Sequence, residues 1–131
     1  MSGPLVLKKS EEFNWEITFD WVDSEGSVNE QTIEFRFKRL NTEQYSAVLD
    51  KTLKEMQDLS DEETVKFNFN KRLLLNVIVS VNEDHVDVEG ATTQKEILDS
   101  LLSWNVIASA VRDGYQDATL RGGQSVDAVK K

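Results

Sequence analysis

Cysteine is absent from the chain, which excludes disulfide frameworks, thiolate zinc sites and a cysteine nucleophile together and fits a reducing compartment. Histidine occurs once, at His85, which disfavours triad hydrolases and imidazole-rich zinc centres, since a triad needs a base and zinc ordinarily takes two or more such ligands. Gly-rich phosphate loops, nucleophile elbows and paired-histidine motifs are also missing. An enzyme is therefore the least expected class, and no cofactor or metal is expected. No apolar run approaches the roughly 20 residues of a membrane span. The opening MSGPLVLKKSEE offers only Leu5, Val6 and Leu7, too little for a signal peptide. A cytoplasmic protein is the expectation.

Basic residues are in deficit, 15 against 24 acidic ones, for a net charge of -9. Such a surface repels phosphate backbones and anionic lipid, so neither nucleic acid nor membrane is an expected partner, while it keeps a chain with apolar patches in solution. The one basic cluster, Arg36, Lys38 and Arg39, reads as a solvated strand edge rather than a nucleic-acid patch.

What is present suits a single α+β domain in 131 residues: an N-terminal antiparallel β-hairpin packed on about four α-helices. The expected boundaries are a flexible N-terminal segment over 1–12, the domain over 13–121 and a flexible C-terminal tail over 122–131. FNWEITFDW alternates without a break, setting Phe13, Trp15, Ile17, Phe19 and Trp21 on one face. QTIEFRFK sets Ile33, Phe35 and Phe37 on one face, and Gly26 between the two runs suits a turn. A three-residue loop at Ser24, Glu25 and Gly26 pairs Ile17 with Ile33, Trp15 with Phe35 and Phe13 with Phe37. It also sets Glu16 against Glu34, with Arg36 on the diagonal to relieve the repulsion.

From Asn41 the period becomes helical. Asn41 and Gln44 cap a helix over about 42–58, whose stripe is Tyr45, Val48, Leu49, Thr52, Leu53 and Met56. Ser60 and Glu63 form a second capping box, ahead of LLLNVIV, which is apolar nearly all round and hence buried. The β-branched Val77, Ile78, Val79 and Val81 leave that segment's end open between helix and short strand. Thr93 and Glu96 cap a helix ending near Trp104, and Asn105 caps a last one that stops at the glycines of RGG.

The loop NEDHVDVEGATTQKE places His85, Asp87, Glu89, Gly90 and Glu96 at the positions of a calcium-binding loop. Its first ligand is a nitrogen donor where a carboxylate is needed, and Glu96 has a sufficient role as a helix cap. A polar connection is the better reading. The acidic clusters around Glu83–Glu89 and Asp58–Glu63 likewise read as solvated loop and helix start rather than as catalytic carboxylates.

The second half, about residues 73–121, resembles the tail assembly chaperones of long-tailed bacteriophages. An apolar segment leads through an acidic, glycine-containing loop (LLLNVIVSVNEDHVDVEG) to a capped leucine-rich helix (TTQKEILDSLLSW) and a last helix (NVIASAVRDGYQDATLRGG). Within that last helix Val106, Ala110, Tyr115 and Ala118 follow the family's spacing, with Ser109 where an alanine is expected. The resemblance implies a non-enzymatic, oligomerising protein of the host bacterial cytoplasm that keeps the tape measure protein soluble during tail assembly and is absent from the mature virion. Its implied partners are the tape measure protein, the tail tube protein that displaces it, and a frameshifted longer form of itself. On this reading Trp104, Val106, Ile107, Val111 and Tyr115 are expected to face the partner. Trp15, Phe19, Phe35 and Phe37 serve self-association or the core. Alternatives are a structural tail or head–tail connector subunit, and a small acidic ligand- or calcium-binding module.

Overall fold

The computed structural model describes residues 11–62 and 68–122. The expectations for residues 1–10, for Glu63 of the second capping box and for the tail beyond 122 lie outside the described residues. Strand β1 (Glu11–Val22) pairs with β2 (Val28–Arg39), and Ile17, Trp15 and Phe13 stand opposite Ile33, Phe35 and Phe37 as the alternation predicts. β1 thus starts at Glu11, two residues ahead of the expected domain boundary at 13.

The turn explains the register. The Asp23 N–H donates to the Ser27 carbonyl (2.9 Å) and the Gly26 N–H to the Asp23 carbonyl (3.0 Å), which leaves a three-residue loop. Gly26 lies at φ 86°, where a side chain is strained, so glycine suits the third loop position. The Asp23 carboxylate accepts from the Ser27 and Glu25 N–H groups and from Asn29, which holds its pKa below the usual carboxylate value. Glu16 does face Glu34. Arg36, expected on the diagonal beside them, bonds Glu12 (2.7 Å) and Asn14 (2.9 Å).

Asn41 and Gln44 form the expected reciprocal cap of α1 (Thr42–Gln57). Helix α2 (Phe69–Val77) passes without a loop into β3 (Ile78–Val81), which adds to β2 and makes the sheet three-stranded, in the order β1-β2-β3. The chain leaves the helix where its β-branched run begins, because extended backbone relieves side-chain crowding there and finds the β2 edge for its N–H and C=O groups. Helices α3 (Gln94–Leu102) and α4 (Asn105–Gly122) complete the described domain. The Trp104 carbonyl accepts from the Ala108 N–H (2.9 Å), so Trp104 occupies the capping place expected of Asn105.

One face of the sheet carries the core. Ile17, Ile33, Phe35 and Phe37 meet Leu74 and Val77 of α2, Leu98 and Leu102 of α3, and Val111 and Tyr115 of α4, all buried. The aromatic centre is Phe37, whose ring lies 5.0 Å from Tyr115, 5.8 Å from Phe13 and 6.1 Å from Phe35. Opposite this face, Thr18 and Thr32 share a hydroxyl hydrogen bond of 3.0 Å.

Helix α4 lies close on β1 at Gly114, where an added Cβ would stand 2.1 Å from the Ile17 Cδ1. Overpacking costs about 1–3 kcal/mol, against roughly 1 kcal/mol gained in helix propensity. Gly114→Ala is expected to destabilise by about 1 kcal/mol in urea unfolding. The same substitution in an Ile17→Val background, which lacks the obstructing methyl, is expected to be neutral or stabilising.

Burial pushes the Tyr115 hydroxyl up from 10.0 to about 12, with Tyr45 adding to the shift. The unfolded chain loses this proton near pH 10 while the native state holds it to about 12, so the contribution is complete below 10 and disappears between the two. Relative to Tyr115→Phe, the wild type is expected to lose roughly 1–2 kcal/mol over that window, allowing for partial solvation of the hydroxyl. Urea titrations at stepped alkaline pH measure the difference.

Candidate functional site

The hairpin outruns the helices that cover it. Its twelve-residue strands extend about 40 Å at strand rise, whereas the eighteen residues of α4 extend about 27 Å. The distal hairpin therefore stands clear of the body, and Val22 and Val28 at its end are 60% and 65% exposed. Towards this end of the inner face, Phe19 is still buried in the core and Trp21 is half-buried against it.

Trp104 comes out to meet them. It sits at the corner between α3 and α4, with its N–H donated to the Leu101 carbonyl (3.2 Å) and its carbonyl used by α4, so the backbone is held from both sides. Its ring meets Trp21 edge-on at 5.4 Å, and Trp21 meets Phe19 edge-on at 6.3 Å. These edge-to-face contacts suit aromatic quadrupoles and keep the ladder ordered. Trp104 nevertheless remains 57% exposed.

Beside the ladder lies an open cleft of about 380 Å³, with Ile33, Leu101 and Ile107 as its apolar base and Gln31, His85, Asp87 and Ser100 at its polar margin. His85 is positioned from the sheet. Past the end of β3 the Asn82 N–H donates to the Glu34 carbonyl (2.9 Å), and the Glu34 N–H donates to the His85 Nδ1 (3.1 Å), so the imidazole takes the place of a further strand residue. This bond requires Nδ1 to be unprotonated. Asn82 shapes the short 3₁₀ turn Glu83–His85 by accepting from the Asp84 N–H at 2.9 Å. Gln94 at the start of α3 clasps β3 with its amide, donating to the Val81 carbonyl (3.0 Å) and accepting from the Val81 N–H (2.9 Å).

The loop after His85 is a connection with a cap. Gly90 takes a positive φ of 84°. Glu96 accepts at Oε1 from the Thr92 N–H (2.8 Å), the Thr92 hydroxyl (3.0 Å) and the Thr93 N–H (3.1 Å), and these bonds lower its pKa, the Thr92 N–H most of all. Both of the outermost positions of the would-be calcium loop are thus engaged within the fold. Among the described residues no group of three or more His, Cys, Asp or Glu side chains is arranged to hold a metal ion, and no helix is long and apolar enough to cross a membrane. The basic cluster is partly paired: Arg36 with Glu12 at 2.7 Å and Arg39 with Glu11 at 2.8 Å.

The residues expected to face a partner divide. Trp104 and Val106 are exposed, at 57% and 47%. Ile107, Val111 and Tyr115 are instead buried core residues, which corrects the expectation. They share a stripe with Ala108 and Ala118 that packs on the sheet, and the Tyr115 hydroxyl donates to the Lys38 carbonyl at 3.2 Å. Of the hairpin residues expected in core or self-association, Phe19, Phe35 and Phe37 are buried in the monomer and Trp15 is half-buried. Trp21 and Gln31 of the cleft have no site role on the sequence reading, because alternation places Trp21 on the core face without showing where helical cover ends. Compared with protein-family models, with curated proteins and with solved structures, the chain matches none.

Proposed function

We propose that this protein is a non-enzymatic chaperone that binds an apolar helical polypeptide and keeps it in solution, the client being the tape measure protein of a long-tailed bacteriophage. The observation that carries the reading is Trp104, an ordered indole 57% exposed and braced on Trp21, within a chain of net charge -9. Tryptophan on a rigid corner offers a large contact area at little entropic cost, which is the character of an interface anchor. The adjoining cleft accepts side chains of a helix laid across it, as in helix-in-groove recognition.

Many copies of modest affinity along a rod hold it more firmly than one copy does, yet each is displaced singly when tail tube subunits arrive. The acidic surface keeps the coated assembly dispersed. In this role the protein acts in the host bacterial cytoplasm as an oligomer and leaves before the virion is complete. Co-expression with a candidate tape measure protein tests the proposal: the client is expected in the soluble fraction, bound to the chain. Precipitation of the client to the same extent with and without the chain contradicts it.

A further inference from the structure

We propose a second binding surface, beside the aromatic cleft and sharing Phe19 with it: the open edge of β1, with the groove between it and α4, takes up an extended cationic polypeptide segment as an added strand. β1 ends the sheet, and the Asp23–Ser27 hydrogen bond sets the phase of its pairing with β2. Antiparallel pairs alternate between hydrogen-bonded and non-bonded, so Asn14, Glu16, Thr18 and Asp20 direct their N–H and C=O groups away from β2. Among the described residues no strand or turn bond takes them.

A groove of about 580 Å³ runs along this edge. Trp15 and Phe19 from the inner face line it together with Glu16 and Thr18, whose side chains belong to the opposite face, so it must pass the strand's rim. Val106 and Ala110 of α4 form its far wall, and it closes where Gly114 packs on Ile17. A strand edge facing a helix across a groove is the geometry in which peptides add to sheets, with backbone bonds holding the segment and alternate side chains entering the groove.

The charges select the occupant. On the outer face Glu16 stands opposite Glu34 and Asp20 opposite Glu30, two like-charged cross-strand pairs that oppose each other. Arg36, on the same face, is bonded to Glu12 and Asn14. An added strand would set its outer side chains beside Glu16 and Asp20 and its inner ones against Trp15, Phe19 and Val106. Lysine or arginine alternating with apolar residues fits both rows. A second copy paired edge to edge about Thr18 would set Glu16 of each copy against Asp20 of the other, and the repulsion disfavours it.

The probe is a ten-residue peptide alternating valine and lysine, with a valine–glutamate peptide as its control, added to the full chain while amide hydrogen exchange is followed by NMR. The lysine peptide is expected to slow exchange at Asn14, Glu16, Thr18 and Asp20 by about tenfold or more, and the glutamate peptide to leave it unchanged. In the variant Glu16→Lys with Asp20→Lys the preference is expected to reverse. Its melting temperature should be no lower than that of the wild type, because both like-charged pairs become opposite. Trp104→Asp is expected to leave peptide binding intact, which separates this surface from the cleft. The proposal is overturned if the lysine peptide binds without slowing those amides, or if both peptides slow them equally. It is equally overturned if the amides are already protected in the free chain, by a second copy when the protection depends on concentration and by another segment of the same chain when it does not.

Discussion

Phe37→Ala is expected to lower the free energy of unfolding by about 4 kcal/mol. The side chain is fully buried and lies where all three strands meet α4: it pairs with Phe13 in β1 and with Ile78 in β3, and its ring is 5.0 Å from Tyr115. Truncation removes the ring's burial and opens a cavity between partners that cannot all close in. A domain of this size has about 5–15 kcal/mol of stability, so the variant should be largely unfolded at moderately raised temperature. Phe13→Ala, at the half-buried side of the same cluster, is expected to cost clearly less. Urea unfolding of the two variants beside the wild type measures both. A Phe37→Ala cost below about 1 kcal/mol would mean that the ring is not at the centre of the core.

On the proposed chaperone role, the second large effect concerns a client and not the fold. Trp104→Asp is expected to weaken client binding by about 2 kcal/mol per copy, roughly 30-fold. Its own stability should change by no more than about 1 kcal/mol, the edge contact with Trp21 being the main loss. If many copies coat the client as proposed, each loss is multiplied along it, and client solubility should collapse although the variant folds normally. Circular dichroism melting and co-expression, run on the same variant, separate the two effects. Ile107→Asp behaves oppositely: at a site only 4% exposed, it should disrupt the fold first.

Much of this fold was legible because its pattern is local. Strict alternation over Phe13–Trp21 and Ile33–Phe37, joined to one glycine with a positive φ, leaves a single register that buries both apolar rows, and the Glu16–Glu34 opposition follows from it. The capping boxes at Asn41 and Thr93 are also local and stand as read. β3 was legible only as one of two alternatives, because LLLNVIV is apolar on every side and has no period to distinguish helix from strand, although the β-branched Val77, Ile78, Val79 and Val81 pointed to the strand that Ile78–Val81 forms. The switch after Val77 depends on a β2 edge some forty residues away in sequence. Ile107, Val111 and Tyr115 show the same limit at the site. Helical spacing tells which side chains share a face, but not whether that face meets a sheet of its own chain or another molecule. Trp104 escaped the ambiguity only through its place at a helix corner, a feature of the packing of α3 against α4.

Hydroxyl-radical footprinting of the chain alone and in complex with a client that co-purifies on co-expression tests the proposed aromatic surface most directly. Trp104 and Trp21 are expected to be labelled in the free chain and shielded in the complex, while Leu53, 49% exposed on α1, is labelled equally in both. Unchanged labelling of Trp104 and Trp21 in a stable complex, with protection elsewhere, would contradict the assignment of this surface to the client.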